Sequence, residues 1–473
     1  MWFYKEGNTI DEALQMEMME RLVEEAQKRI NPSVKKVLLL PPDITRYHSG
    51  AGRLTNMLYH VLGTGCDIDI IPTLGQHVPH TPEENRWMFG DIPEERIHAH
   101  DWKKSCKTLG YIDADFVSAA TGGKADWPIP VEINSAVIDG GYDLIVNIGQ
   151  IVPHEVLGFA NHNKNYFIGL GGKSMITASH MMAASCGIEN NLGQIVTPLR
   201  GCYNLAEKEY LKSVPHVYVL IVKSRKASGE LETTGLYVGS SVETYIQAAR
   251  YARKQTVHMF DRPVKKMVCY MDEKEFRSTW VANKAIYRTR KAIADEGELI
   301  VIAPGVERFG EQDEVDRMIR RYGYKGTPNT LEAYQNDSEL HDLAHAAAHL
   351  IHGSSEGRFS ITYAPGKLSK EEIEAAGYGF MNVGDALKAY NPDSMNEGFN
   401  TVNGEEIYFI KSPSLGLWTS RDKYIDALRN NLDFAERMIE KQPEEAIWKQ
   451  IKDWNCEDLE EYKQKIGPVD ITK

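Results

Sequence analysis

Short apolar runs rich in β-branched residues alternate with stretches of helical periodicity along the first half of the chain. The runs are KVLLLPPD (36–43), DIDIIPTLG (67–75), YDLIVNIGQIV (142–152) and HVYVLIVKS (216–224). This alternation predicts a mostly parallel sheet covered by helices. Ligands of open α/β sheets bind beyond the carboxyl ends of the strands. We therefore expect three polar segments to meet in one crevice: PPDITR, TLGQHVPH and GQIVPH.

A second α/β set follows a helical stretch at 241–260 and the charged segment DRPVKKMV, and we place a domain boundary at 255–265 between the two sets. It comprises a strand at 266–271, a helix at 275–297 and strands at 298–305, 358–366 and 377–384. The sequence thus predicts an α/β protein with two α/β domains, 1–260 and 261–390, and an active site in the cleft between them. Residues 391–473, which include EEIYFI (405–410) and a helix at 422–442, are expected to form an extension that the pattern does not place.

Composition narrows the classes of partner. The 473 residues carry a formal net charge of -13, which disfavours nucleic acid and anionic membranes. The six cysteines show no CxxC spacing, so no thiolate metal site is indicated. No leader with a basic and then an apolar region opens the chain, and no apolar window has the length of a membrane span. We expect a cytoplasmic protein that binds a small molecule.

The segment after the first predicted strand offers a carboxylate, a hydroxyl and a guanidinium. These belong to Asp43, Thr45 and Arg46. An arginine donates two parallel hydrogen bonds to a carboxylate or phosphate, which suits ligand binding. A capped helix start with a surface arginine explains the same motif equally well.

Four histidines follow as candidates for proton transfer. His77 and His80 lie in GQHVPH, and His98 and His100 lie in IHAHDW. A histidine at a strand end can act as a general base near neutral pH, although a loop histidine without such a role is more common. Its place directly after a predicted strand favours His77.

The stretch PHEVLGFANHNKNYFIGLGGKSMITASH (153–180) sets cations and imidazoles among glycines and apolar residues. His154 follows another predicted strand end. Lys164 lies beside an apolar run, and a desolvated lysine can act as a nucleophile or carry a covalent cofactor. Ser174 is expected to cap a helix that holds His180 about two turns in. A lone histidine there is usually a core residue, because a metal would need further donors.

A competing cluster lies in HDLAHAAAHLIHG. His341, His345, His349 and His352 recur at helical spacing and are predicted to share one face. A metal-dependent hydrolase or lyase is the function they suggest. No HExxH motif is present, because alanines separate His345 from His349, so a helix stripe without metal is favoured.

Four motifs in order resemble the lactate racemase family, the nickel-pincer-nucleotide-dependent 2-hydroxyacid racemases and epimerases. DITR is similar to the family's D-x-T-R, LGQHVPHTPEE to G-T-H-R-P, and WVANK to Y-Q-A-x-K. The stretch 153–180 resembles the P-H, G-[YF]-S-G-G-x-K and T-I-x-x-x-H series, with ten residues from His154 to Lys164 and sixteen from Lys164 to His180. The resemblance covers roughly residues 36–310 and continues more weakly to about 390.

The resemblance implies roles for these residues. Lys164 would bond covalently to the nickel-pincer nucleotide, His180 would complete the nickel coordination, and Asp43 and Thr45 would contact the cofactor. His77 and His154 would be the acid/base pair, and Arg46, Lys284 and Trp280 would bind the substrate. Hydride passes reversibly to the cofactor while a histidine takes the hydroxyl proton. Enzymes of cofactor biosynthesis would be partners, and the glycines would let the backbone pass close to the cofactor.

Several positions depart from the family pattern. Ala160, Asn161 and His162 stand where the family has S-G-G. Further departures are Ile168 for proline, Val78 for arginine, and Trp280 and Val281 for tyrosine and glutamine. They imply a racemase or 2-epimerase of a 2-hydroxy acid other than lactate, with a longer, sugar or aromatic acid as the options. A ligand-binding homologue without turnover is the remaining alternative, and the role of His162 is open.

Overall fold

The computed structural model describes residues 1–226 and 229–464 and has an α/β fold with mostly parallel strand pairing, as predicted. It divides into two compact units. The first contains residues 1–179 and 195–256, and the second contains 180–194 and the described residues from 257 onward. The chain crosses between the units inside the helix Lys173–Cys186, an excursion that the hydropathy pattern does not signal.

A six-stranded sheet organises the first unit. From edge to edge its strands are Phe3–Glu6, Leu231–Gly239, His216–Arg225, Leu144–Gln150, Lys36–Leu40 and Asp67–Ile70. The last four run parallel, and the pairs at the opposite edge are antiparallel. Every side chain from Val37 to Leu40 is buried, as expected of a parallel strand covered on both faces.

Helices pack their apolar sides on this sheet, and Leu22 and Leu58 from two of them share a core cluster with the strand residue Val146. The α-helices are Glu12–Arg29, Ala51–Leu62, Pro82–Phe89, Ala114–Thr121, Ser135–Asp139, Lys173–Cys186, Pro198–Tyr210 and Val242–Thr256. Short 3₁₀ turns are Ile44–Ser49, Gly63–Gly65 and Glu94–Arg96, and a π-helical turn is Asn165–Gly169. Two small antiparallel pairs join Cys106–Ile112 to Ile129–Asn134 and Pro153–His154 to Gly158–Phe159.

The second unit contains a six-stranded sheet of its own. Its order is Gly379–Phe380, Ser360–Pro365, Ile293–Ala303, Val264–Tyr270, Glu405–Ile410 and Gly398–Val402. All neighbours are parallel except the last pair. A separate parallel pair joins Val257–Phe260 to Leu417–Ser420.

The helices of the second unit are mostly short, and two long ones end the described chain. They are Ile188–Asn191, Thr279–Ala282, Lys284–Thr289, Asp313–Tyr322, Thr327–Asn336, Ser338–Asp342, Ala344–His352, Lys370–Ala375, Val383–Ala389, Arg421–Lys441 and Ala446–Gln464. Side chains of the strands and of Val383–Ala389 form one of its apolar clusters, which includes Val268, Ile300 and Phe409.

Two predicted helices are shorter than expected. The stretch 241–260 is helical only over Val242–Thr256, because Val257–Phe260 pairs with a distant strand. The stretch 275–297 forms two short helices and then the start of the strand Ile293–Ala303, whose Ile293 pairs with Val264. In both places a long-range strand partner overrides the local helical pattern.

Candidate active site

The first predicted strand end carries a buried carboxylate. Asp43 caps the 3₁₀ turn Ile44–Ser49 and accepts hydrogen bonds from the backbone N–H of Thr45 (3.0 Å) and from the Thr45 hydroxyl. The Asp43 side chain is buried, whereas Thr45 and Arg46 are exposed. The Arg46 guanidinium donates to the carbonyl (3.4 Å) and hydroxyl (3.2 Å) of Thr45.

Asp43 is paired with His77, which follows the neighbouring parallel strand. The Nδ1 atom of His77 hydrogen-bonds to a carboxylate oxygen of Asp43, while the His77 side chain is 55% exposed. Burial alone would raise the pKa of Asp43, but the hydrogen bond and charge of His77 and the charge of Arg46 hold it well below its usual range. Asp43 is therefore ionised and keeps a proton on Nδ1, so proton exchange with a ligand falls to Nε2 of His77.

His80 supports the same loop. Its Nε2 accepts from the backbone N–H of Ile44 (2.7 Å), and its Nδ1 donates to Oδ1 of Asn85 (3.0 Å). The pair His98 and His100 has structural contacts as well. His98 binds Asp69 (3.0 Å), and buried His100 donates to the carbonyl of Gly171 (3.2 Å). Of the four loop histidines, His77 is the one that a buried carboxylate orients at a strand end.

The loop that carries His77 touches the segment that follows Lys164. The backbone N–H of Gly75 donates to the carbonyl of Gly169 (2.8 Å), which ends the π-helical turn Asn165–Gly169. A Cβ atom added to Gly169 would lie 2.6 Å from the Cβ of Thr73. Glycine is thus required at position 169 for contact between two protein segments, and the expected close approach of the other glycines to a cofactor stays a prediction.

Lys164 lies half-buried in this neighbourhood. Burial and, to a smaller extent, the positive charge of Arg46 lower the pKa of its ammonium to about 8, against the opposing negative charges of Glu155 and Asp43. Because the charges of Arg46 and Asp43 both act on Lys164, the three side chains lie near one another in the first unit. An amine with this pKa has a substantial neutral fraction near pH 7 to 8 and can act as a nucleophile.

His154 is the second predicted proton-transfer residue. It ends the strand Pro153–His154, and its side chain is largely buried. Its Nδ1 accepts from the backbone N–H of Val156 (3.1 Å), and its Nε2 lies 3.8 Å from a carboxylate oxygen of Glu155. In the neutral ring the proton therefore sits on Nε2. In their neutral forms, His154 has a hydrogen-bond donor at Nε2, whereas His77 has an acceptor at Nε2.

The loop before Lys164 has an unusual backbone. Asn161 and His162 both have positive φ angles, 67° and 61°, a region that favours glycine. These are two of the positions where the resembling family has S-G-G, so the conformation fits the family pattern although the residues differ. Asparagine and histidine adopt this conformation more readily than most other residues.

His162 itself is a buried packing residue in the structure. Its ring stacks on Tyr218 with 3.9 Å between ring centroids. Burial lowers the pKa of His162 to about 3, although the nearby charge of Glu207 opposes the shift. The imidazole is therefore neutral at physiological pH.

The helix with His180 starts differently from the prediction. It runs over Lys173–Cys186, so Ser174 lies inside its first turn and is not the cap. The backbone N–H groups of Ser174 and Met175 donate instead to a carboxylate oxygen of Glu132 (3.0 and 3.3 Å). Glu132 comes from the strand Ile129–Asn134, and a distant residue of this kind is not visible in a local capping pattern. His180 is half-buried and belongs to the second unit.

Two more predicted site residues lie in the second unit. Trp280 is in the short helix Thr279–Ala282, and its ring lies 4.3 Å from that of His349. Lys284 begins the next helix, and its Nζ lies 5.6 Å from the ring centroid of Phe276. Both residues belong to the motif WVANK, which in the structure spans two consecutive short helices.

The predicted four-histidine face is wrong. His341 belongs to Ser338–Asp342, and the other three belong to Ala344–His352, because Leu343 between them has non-helical angles. His341 stacks on Tyr334 (4.8 Å), whereas Nε2 of His349 lies 3.1 Å from the hydroxyl of Tyr324. In the described residues, no group of three or more His, Cys, Asp or Glu side chains could hold a metal ion.

The fold and these residues define an α/β protein with a histidine–carboxylate pair at its strand ends and a lysine whose pKa is lowered to about 8. The model of the lactate racemase N-terminal domain family matches residues 4–191. The matched segment contains the motifs DITR, GQHVPH and 153–180, which resemble this family. No curated protein matches it.

Two solved structures share the fold. A crystal structure of a Thermotoga maritima protein is 22% identical, has a TM-score of 0.72, and aligns over 88% of this chain and 99% of its own. The lactate racemase apoprotein of Thermoanaerobacterium thermosaccharolyticum is 15% identical, has a TM-score of 0.61, and aligns over 85% and 92%. Within residues 1–226 and 229–464, no helix is long and apolar enough to cross a membrane.

Proposed function

We propose that the protein is a racemase or 2-epimerase of a 2-hydroxy acid other than lactate, with a longer, sugar or aromatic acid as substrate. Its family supports an isomerase of the racemase type. The observation that carries the proposal is the grouping of the Asp43–His77 pair, Arg46 and Lys164 in the first unit. This grouping supplies an acid/base residue, an anion-binding residue and a nucleophile.

The residues fit a nickel-pincer nucleotide by the chemistry of their donors. Lys164, with its lowered pKa, is the proposed covalent attachment residue. His180 is the proposed nickel ligand, and the soft sulfur donors of the nucleotide would supply the rest of the coordination. Asp43 and Thr45 contact each other, and their contact with the cofactor stays a prediction. When bound, the cofactor accepts a hydride from C2 of the substrate and returns it.

The two histidines handle the proton of the hydroxyl group. His77 accepts the hydroxyl proton at Nε2 as the C2–H bond breaks, and a planar 2-keto acid results. When hydride returns to the opposite face, His154 first takes a proton to become an imidazolium, then donates a proton to the keto oxygen and is left as the neutral ring. The ionised Asp43 stabilises the imidazolium of His77, as a carboxylate does in other histidine pairs. Loss of the proton from His77 to solvent then restores that ring for the next turnover.

Substrate binding is assigned to three cationic or aromatic side chains. Arg46 suits the substrate carboxylate because its guanidinium is exposed beside the Asp43–His77 pair. Lys284 and Trp280 of the second unit are proposed to bind the carboxylate and the rest of the acid. The proposal keeps a cytoplasmic location, cofactor-biosynthesis enzymes as partners, and no nucleic-acid or membrane partner.

A panel of 2-hydroxy acids deuterated at C2 tests this function. The chain is co-expressed with enzymes that make the cofactor and purified as the holoenzyme. We expect one acid to invert while deuterium stays on C2, because the label travels as hydride and returns. Binding without inversion across the panel would favour a non-catalytic homologue, and inversion with full loss of deuterium to water would contradict hydride transfer.

A further inference from the structure

One helix presents two charged side chains to the loop before Lys164. In Pro198–Tyr210, Arg200 and Glu207 lie seven residues apart, which is about two turns and places them on the same side. Arg200 is fully buried, and the side chain of Glu207 is largely buried. Buried charges persist only where partners satisfy them, so both side chains require specific contacts.

Arg200 binds the loop through two of its guanidinium nitrogens. Its guanidinium donates to the carbonyls of Phe159 (2.6 Å) and Asn161 (3.2 Å) and to the side-chain oxygen of Asn163. It also lies 4.3 Å from the ring centroid of Tyr245. The guanidinium thus binds both ends of the turn that contains the positive-φ residue Asn161.

Glu207 binds the side-chain amide nitrogen of Asn163, whose oxygen is bound by Arg200. Its carboxylate accepts from the side-chain nitrogen of Asn163 (2.9 Å), the hydroxyl of Tyr218 (2.7 Å) and Nε2 of His216 (3.1 Å). Burial would raise the pKa of Glu207, but the hydrogen bond from His216 and the other donors lower it to about 2. Glu207 is therefore an anion at neutral pH.

Asn163 is bound at both ends of its amide and directly precedes Lys164. The oxygen faces Arg200, and the nitrogen faces Glu207 and the side chain of Asn204 (2.8 Å). The two residues before Asn163 are in the left-handed region, which costs free energy for any residue with a side chain. Such a backbone persists only where surrounding contacts fix it, and these contacts do so.

We infer that Arg200, Asn163 and Glu207 form a clamp that positions Lys164 for attachment of its cofactor. These are positioning residues, since they act through Lys164. The clamp holds, by side-chain contacts, a backbone that two glycines would adopt without strain. The inference rests on the proposed function in one respect only, the use of Lys164 as the attachment residue.

The test follows the pH profile of Lys164 acetylation in the full chain purified without cofactor-making enzymes. Isotope-labelled acetic anhydride and peptide mass spectrometry give the midpoint for each lysine. In Glu207→Gln, we expect the Lys164 midpoint to rise by about one pH unit or more, because a released loop lets water reach the ammonium. Loss of the negative charge alone would move the midpoint in the opposite direction, so the sign separates positioning from a direct charge effect.

Glu209→Gln is the matched control, because it makes the same change at an exposed position of the same helix. Its Lys164 midpoint should equal that of the wild-type chain. If Glu207→Gln does not fold, as judged by circular dichroism, Asn163→Ser decides, since it removes the amide and keeps both charges. An unchanged or lowered Lys164 midpoint in the folded variant overturns the clamp.

This result is independent of whether a cofactor exists. A raised midpoint in the variant, together with a wild-type chain that stays unmodified after co-expression, would keep the positioning of Lys164 and remove the proposed function. An unchanged midpoint in the variant, together with a wild-type chain that is modified at Lys164, would overturn the clamp and keep the proposed function.

Discussion

Two regions of the molecule concentrate histidines, and they differ in what surrounds the rings. In the first unit, His77 meets the buried carboxylate of Asp43 at the end of a parallel strand, with Lys164 nearby. In the second unit, His349 contacts the ring of Trp280 and the hydroxyl of Tyr324. Histidine spacing favours the second region, yet the first has the charged partners that acid/base chemistry requires. The partners of a histidine therefore say more about its chemistry than its spacing.

The largest difference between the regions should appear when their lysines are exchanged for neutral residues. Lys164→Ala should abolish cofactor attachment and reduce inversion to background, because no other amine replaces the proposed bond. Lys291→Met is the matched control, since Lys291 is buried and its pKa is likewise lowered to about 8. Nickel content and peptide mass measure both variants. Loss of attachment in the Lys291 variant, with attachment kept in the Lys164 variant, would mean that Lys291 carries the cofactor.

The histidine pair predicts the next largest effect. His77→Asn should lower kcat by about 10²-fold or more, in the range of general acid–base catalysis, while nickel content is kept. Asp43→Asn should also lower kcat, because the neutral amide no longer stabilises the imidazolium. His349→Gln tests the other region and should keep both kcat and nickel. Equal losses of kcat in the His77 and His349 variants would mean that the carboxylate partner of His77 does not distinguish the catalytic histidine.

Glycine contacts give a smaller effect on folding. Gly169→Ala should destabilise the protein by about 1–3 kcal/mol, because its new Cβ overlaps Thr73. Gly65→Ala is the control, since nothing lies within 4 Å of a Cβ added there. Urea unfolding measures both variants. A neutral Gly169→Ala would show that the His77 loop and the Lys164 segment need no close contact.

The smallest effect concerns the pH dependence of stability through His162. Its folded pKa of about 3 lies below the ordinary value, so the unfolded chain binds a proton first as pH falls through 6.5. The protein should lose about 1 kcal/mol between pH 7 and pH 5.5 from this residue. In His162→Asn this part of the difference should vanish, whatever the loss at pH 7. An identical pH difference in both proteins would mean that His162 is not buried as a neutral ring.

Much of the first region follows from local patterns. The strands at 36–40, 67–70 and 144–150 lie in β-rich segments that the hydropathy pattern marks, so the convergence of their ends could be anticipated, and with it Asp43 and His77. The strand Glu405–Ile410 could not be placed, because its partner Val264–Tyr270 lies far away in the chain. Local periodicity carries no information on such a partner.

The residues that support Lys164 were missed for the same reason. Arg200 and Glu207 lie far along the chain from Asn163, and Glu132 lies far from the helix it caps. The departures from the family motif at Asn161 and His162 were visible, but their left-handed backbone was not. The two glycines of the family pattern are the signal that could have revealed it, because glycine at a fixed position indicates a positive φ.

Lys164 and Lys291 both have a pKa lowered to about 8, so the modification that each carries separates the two regions most sharply. Peptide mass spectrometry of the chain co-expressed with the cofactor-making enzymes measures it. We predict a mass increase, with stoichiometric nickel, on the peptide that contains Lys164, and an unmodified peptide for Lys291. Unmodified Lys164 in folded protein, or the added mass on Lys291, would contradict the proposed attachment.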